Sequence, residues 1–173
     1  MGKKSSIEKK NIYLKCREDC DLTRAAASEL MKTVSESRIE KIESEKITAV
    51  PEDIVAMAEA YRQPKLCNYY CANECAIGRT SVHEVEMHNL SEITLGIIAS
   101  LNSLNYEKER LISIAVDGQI SEEEMPDFIK IQKQLNELSQ TVEALKLWVN
   151  STIASGSIER STYEKYLSEV KQN

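Results

Sequence analysis

A chain of 173 residues, 42% hydrophobic and 29% charged, holds enough apolar surface for one domain or two small modules. With 5 Gly and 3 Pro it is neither collagen-like nor a flexible linker nor a disordered tail. The net charge of −6 conceals an asymmetry: residues 1–66 carry 13 Lys+Arg against 12 Asp+Glu (+1), and residues 67–173 carry 9 against 16 (−7). A polyanion would be met by the front of the chain and repelled by the back.

No apolar run approaches the length of about 18 residues that a membrane helix needs. Met1-Gly2-Lys3-Lys4-Ser5 is followed by no apolar stretch, so a secretory signal is not expected and the cytoplasm is the expected compartment. Five cysteines (Cys16, Cys20, Cys67, Cys71, Cys75) are an odd number, which in that compartment argues against a disulfide scaffold. They remain open as thiols, metal ligands or small buried residues.

Sustained period-two alternation is missing, so the expected fold class is all-α. A first helix is expected from Ser5, with Glu8 closing a capping box. A second follows Thr23, a natural N-cap for the run Ala25 to Met31, and a third follows Ser35 with Ile39 and Ile42 turned inward. Pro51 suits the first turn of a fourth, carrying Ile54, Val55, Met57, Ala58 and Tyr61. Further on, Leu90, Ile93, Ile97, Leu101 and Leu104 recur at threes and fours. After the turn at Asp117-Gly118 comes a box of Ser121 with Glu124. Then Phe128, Ile131, Leu135, Leu138, Val142, Leu145 and Val149 form a heptad stripe. Antiparallel packing of these two helices is the simplest use of it. Trp148 and Ile153 are expected as exposed leftovers that favour self-association, and residues 158–171 as a last short helix.

The pair of short helices around Lys32-Thr33 carries the functional signal. Ala27 and Ser28 are small enough for two backbones to approach, and Ile39 and Ile42 anchor the second helix. That leaves Ser35, Glu36, Ser37, Arg38 and Lys41 on its open side, a polar face of the kind that can enter a major groove. Leu22-Thr23, the small residues after it, Val34-Ser35, Ile42-Glu43, Pro51 and Met57-Ala58-Glu59-Ala60-Tyr61 together resemble the helix-turn-helix of phage-repressor-like (Cro/repressor, XRE-type) regulators. The likeness covers about the first 65 residues.

The resemblance implies a compact bundle of roughly five helices that reads double-stranded DNA. It implies phosphate or base-edge contacts from Thr23 and Arg24, base contacts from Ser35, Glu36, Ser37 and Arg38, and a backbone contact from Lys41. Lys3, Lys4, Lys9 and Lys10 would add attraction from an arm. The chain departs from the family where Lys32-Thr33 stand in place of the usual turn glycine, and in placing Glu36 and Glu40 on the reading helix. The alternative for Arg38 and Lys41 is ordinary pairing with neighbouring glutamates one helical turn away.

Cys67, Cys71 and Cys75, spaced four and four, would line one helical face. Adjacent pairs could share an ion, but Cys67 and Cys75 lie about 12 Å apart on a straight helix. A Zn or Fe–S site there would need the helix broken and a fourth ligand from Cys16, Cys20, His83 or His88. No other cofactor is expected. The stretch Asp117 to Glu124 imitates half of a calcium loop, but Ser113 and Ala115 stand where its first ligands belong, so calcium is not expected. Phosphate loops, nucleophile elbows and HExxH are missing, so catalysis is not expected.

The sequence thus predicts a repressor-like head at 1–66, a cysteine-bearing connector at 67–80, and an acidic helical tail at 81–173 ending in an amphipathic hairpin. The expected role is a DNA-binding transcriptional regulator, a homodimer through its C-terminal helices. A non-enzymatic adaptor that keeps the fold without DNA, or a thiol-based sensor, is the alternative.

Overall fold

The computed structural model describes residues 11–171. Among them are nine helices and no strand: α1 (Ile12–Glu18), α2 (Arg24–Met31), α3 (Glu36–Glu43), α4 (Pro51–Ala60), α5 (Lys65–Asn73), α6 (Gly78–Ser81), α7 (Leu90–Ala115), α8 (Met125–Ala154) and α9 (Arg160–Val170). The fold is all-α. Two compact units divide the chain, Met1–Glu84 with Ser151–Asn173 and Val85–Asn150. The box expected at Ser5–Glu8 and the basic arm lie outside the described residues.

Local sequence chemistry sets the helix starts in the first unit. Thr23 Oγ1 accepts from the Ala26 N–H (3.1 Å), Ser35 Oγ accepts from the Arg38 N–H (3.3 Å), and Asn11 caps α1 through the Tyr13 N–H (2.9 Å). Pro51 occupies the first turn of α4, and Asp53 accepts from the Val50 N–H (3.0 Å).

The helix ends are less usual. α1, α3 and α4 each finish in paired bonds that wrap the chain back, such as Lys46 N–H to Lys41 C=O (2.9 Å) with Glu45 N–H to Ile42 C=O (3.0 Å). The left-handed position in these wraps belongs to Asp21, Glu45 and Arg62, where glycine is the ordinary occupant. Lys32, at φ 60°, does the same between α2 and α3. The turn glycine of the resemblance is therefore replaced by a lysine that adopts the glycine's backbone.

One core gathers these helices. Tyr13, Cys16, Ala27, Met31, Val34, Ile39, Ile42, Ile54, Met57, Tyr61 and Leu66 are buried together. Leu66 belongs to the core, and Cys67, Tyr69 and Tyr70 pack against it, so the segment expected as a connector from residue 67 begins as an integral helix of the head. Tyr13 ties α1 to it, donating to Glu74 Oε1 (2.7 Å) and meeting the Tyr69 ring edge-on at 6.2 Å. α5 then stops, and Gly78 lies against the Cys71 carbonyl so closely that a Cβ would run into it.

In the second unit α7 and α8 run antiparallel, with Arg110 paired to Asp127 (2.7 Å) and Glu107 to Lys130 (2.5 Å). Gly96 lies beside Thr141 in the same register. The expected stripe is only partly used. Ile131 is buried, but Leu135 and Val142 remain 44% and 37% exposed, while Gln134 and Thr141 turn inward. The Gln134 Oε1 is buried without a hydrogen-bond partner. The physical reason is that each helix of a hairpin has one neighbour, which covers one side of a broad stripe. Trp148 and Ile153 are half-buried rather than exposed. No helix among the described residues is long and apolar enough to cross a membrane.

A left-handed backbone strains a residue with a Cβ by about 1–2 kcal/mol, part of which glycine's looser unfolded chain returns. Lys32→Gly is therefore expected to stabilise the head by about 1 kcal/mol. A higher urea midpoint at unchanged slope would verify this.

Candidate nucleic-acid interface

The frame of the interface is α2 crossing α3. Ala27 is fully buried where they meet, and the Ser28 hydroxyl donates to the Val34 carbonyl (2.8 Å), fixing the turn. Ile39 and Ile42 face the core at 0% and 2% exposure. Their burial turns the opposite side of α3 outward, so that Ser35, Glu36, Ser37, Glu40 and Lys41 are all exposed. Thr23, capping α2, is exposed as well.

The arginines are placed differently from the expectation. Arg38 reaches back across the bundle to Asp53 on α4, with Nε to Oδ1 at 2.7 Å and Nη2 to Oδ2 at 2.6 Å. Its partner is not a glutamate of its own helix. Burial pushes the Asp53 carboxyl up, but the Arg38 guanidinium and the Val50 N–H outweigh it and hold the carboxyl below its ordinary value.

Arg24 points its Nε at Glu43 Oε2 (2.8 Å) with its side chain 38% exposed. Glu43 is itself gripped from inside. Arg17 donates Nε to Oε1 (2.6 Å) and Nη2 to Oε2 (3.0 Å), and its Nη1 reaches the Leu22 carbonyl (2.5 Å). The Glu43 side chain is 1% exposed and that of Arg17 is 9%. Two guanidinium groups thus share one buried carboxylate, leaving one net positive charge directed outward through Arg24.

Arg17, Glu43 and Asp53 organise this face, and sequence reasoning passed over all three as contributors. A hint was available for Asp53, an acid at the third position of a helix that opens on proline. For Arg17 and Glu43 there was none, because they stand 26 residues apart.

Cys67 and Cys71 lie on α5, and Cys75 follows it, its Sγ accepting from the Gly78 N–H at 3.4 Å. Burial pushes the Cys67 thiol up, favouring the protonated form. Cys16 is fully buried, and Cys20 donates its thiol to the Tyr61 carbonyl (2.9 Å). No group of three or more His, Cys, Asp or Glu placed to hold a metal ion occurs among the described residues.

No family model, no curated protein and no solved structure matches this chain.

Removing Glu43 strands the Arg17 charge inside the head. Glu43→Ala is expected to cost about 3 kcal/mol or more, read as a lower midpoint in urea denaturation. Asp53 gives an acid-side signature. Its folded pKa is depressed, so its contribution is complete above the unfolded carboxyl's ordinary value of 3.8 and is lost as pH falls through the folded value. Stability measured down the acid limb should fall less steeply in Asp53→Asn than in the parent chain.

Proposed function

We propose that the first unit is a DNA-binding head of a transcriptional regulator, a binding protein rather than an enzyme, with α3 as its reading helix. The observation that carries this reading is the two-sidedness of α3: Ile39 and Ile42 sealed in the core, and a row of short polar and charged side chains held outward. The helix caps and the Ser28–Val34 bond fix that helix before any ligand arrives, which lowers the ordering cost of docking.

The division of labour differs from the one the family resemblance implies. Ser35, Ser37, Glu36 and Lys41 face outward and supply base or backbone contacts, with Glu36 able to accept from a cytosine amino group. Arg24 stays half-exposed on the Glu43 carboxylate and serves a phosphate. Arg38 acts as a brace between α3 and α4. Pairing of two heads through the C-terminal helices would let them meet two half-sites.

Because Asp53 neutralises Arg38 and Glu43 offsets one of two arginines, this face carries few uncompensated cations, and binding relies little on counterion release. A gel shift on random duplex at low salt tests the reading. Binding is expected, with Lys41→Ala and Arg24→Ala each weakening it and each lowering the salt slope by about 0.9 for every phosphate no longer neutralised. Absence of any shift at low salt would replace this reading with the second one, a non-enzymatic interaction module. The observation favouring that second reading is the placement of Glu36 and Glu40 on the outward face while both of its arginines are bound to carboxylates.

A further inference from the structure

The hairpin of the second unit leaves one side uncovered. The contacts of Arg110 with Asp127, Glu107 with Lys130 and Gly96 with Thr141 fix how each helix is rotated against the other. From that rotation, at 100° per residue, Leu90, Leu101 and Ile112 of α7 fall on the same side of the hairpin as Leu135 and Val142 of α8. All five are exposed, at 42%, 51%, 52%, 44% and 37%. On α7 they stand three turns apart, and on α8 two turns apart, so they line up along the helices instead of scattering around them.

Carboxylates are kept off this side. Residues 93–106 contain no Asp, Glu, Lys or Arg. The carboxylates of the two helices, Glu92, Glu107, Glu109, Asp127, Glu137 and Glu143, project into the seam or around the other sides by the same geometry. Lys108, between Leu101 and Ile112, and Lys146, one turn after Val142, do fall on this side, each long enough to carry its ammonium to water.

We propose that this face is covered by the same face of a second copy of the chain, giving a four-helix bundle of two hairpins. The inference deepens the pairing of heads suggested under the proposed function and rests on that part of it, but not on DNA binding. Size and charge select the occupant. A face the length of α7, about 39 Å, and two helices wide, about 20 Å, offers about 800 Å², the share of one partner in a stable dimer. Residues 85–150 hold 11 Asp+Glu and 5 Lys+Arg, so two copies repel least across this side, which carries lysines but no carboxylate. A basic peptide would find apolar side chains there and no carboxylate to pair with.

Light scattering and sedimentation velocity of the full chain, without DNA, test the proposal. The expected mass is twice the 19.6 kDa of one chain. Salt should tighten the dimer by screening the acidic flanks. Leu101→Glu and Val142→Glu should each shift the chain to monomer at unchanged helicity, and Leu135→Gln should weaken the dimer at least tenfold should the charged variants lose helicity. Leu95→Glu, on an exposed position outside the patch, should leave the dimer intact. A parent chain that is monomeric at every concentration, a Leu101→Glu chain that stays dimeric, or a dimer that salt dissociates would each overturn it. A dimer that shifts no duplex supports this interface and removes the DNA reading; a monomer that shifts duplex does the reverse.

Discussion

The first unit is organised around the buried carboxylate of Glu43. Glu43, at the end of α3, sits between Arg17 of α1 and Arg24 of α2, so three helices meet at two oxygens. Such a group is costly to desolvate, and its stability comes from having every nearby donor aimed at it. Breaking it would leave Arg17 buried and uncompensated. Apolar packing alone would tolerate small rotations of α3; bidentate pairing with a planar guanidinium does not. The angle at which α3 is presented therefore depends on an interaction that lies behind the presented face.

The same economy of charge shapes what the outward face can do. Arg38 spans from α3 to α4 and is held by two carboxylate oxygens, while Arg24 is held by one; their side chains are 36% and 38% exposed. The outward face is thus polar, with its arginines paired to carboxylates. The two halves of the chain also differ in how they are finished. The head closes its helices with left-handed turns built from Asp21, Glu45 and Arg62, accepting strain for tightness, whereas the hairpin unit is held by ion pairs between its two helices.

Much of the fold was legible in the sequence. Thr23, Ser35 and Pro51 announced three helix starts, and Ile39 and Ile42 announced which side of α3 turns inward. These signals act within about one turn of helix, so a linear reading captures them. The heptad stripe of α8 was equally visible, but which part of it a partner covers was not. Leu135 and Val142 belong to the stripe by spacing and to the solvent by structure, because the contacts at Gly96, Glu107 and Arg110 rotate α7 toward Gln134 and Thr141.

What the sequence determined by itself was therefore most of the helices, the caps at Thr23 and Ser35 and many of the apolar positions that hold them, but not α5 and α6 within the expected connector. What only the tertiary structure decided was the state of the charges: which carboxylate each arginine meets, and through how many bonds. Helical periodicity repeats every few residues, but the deciding ion pairs join positions 15, 19 and 26 apart. Such pairs form only where the chain returns on itself, and that return is set by the packing of the whole core.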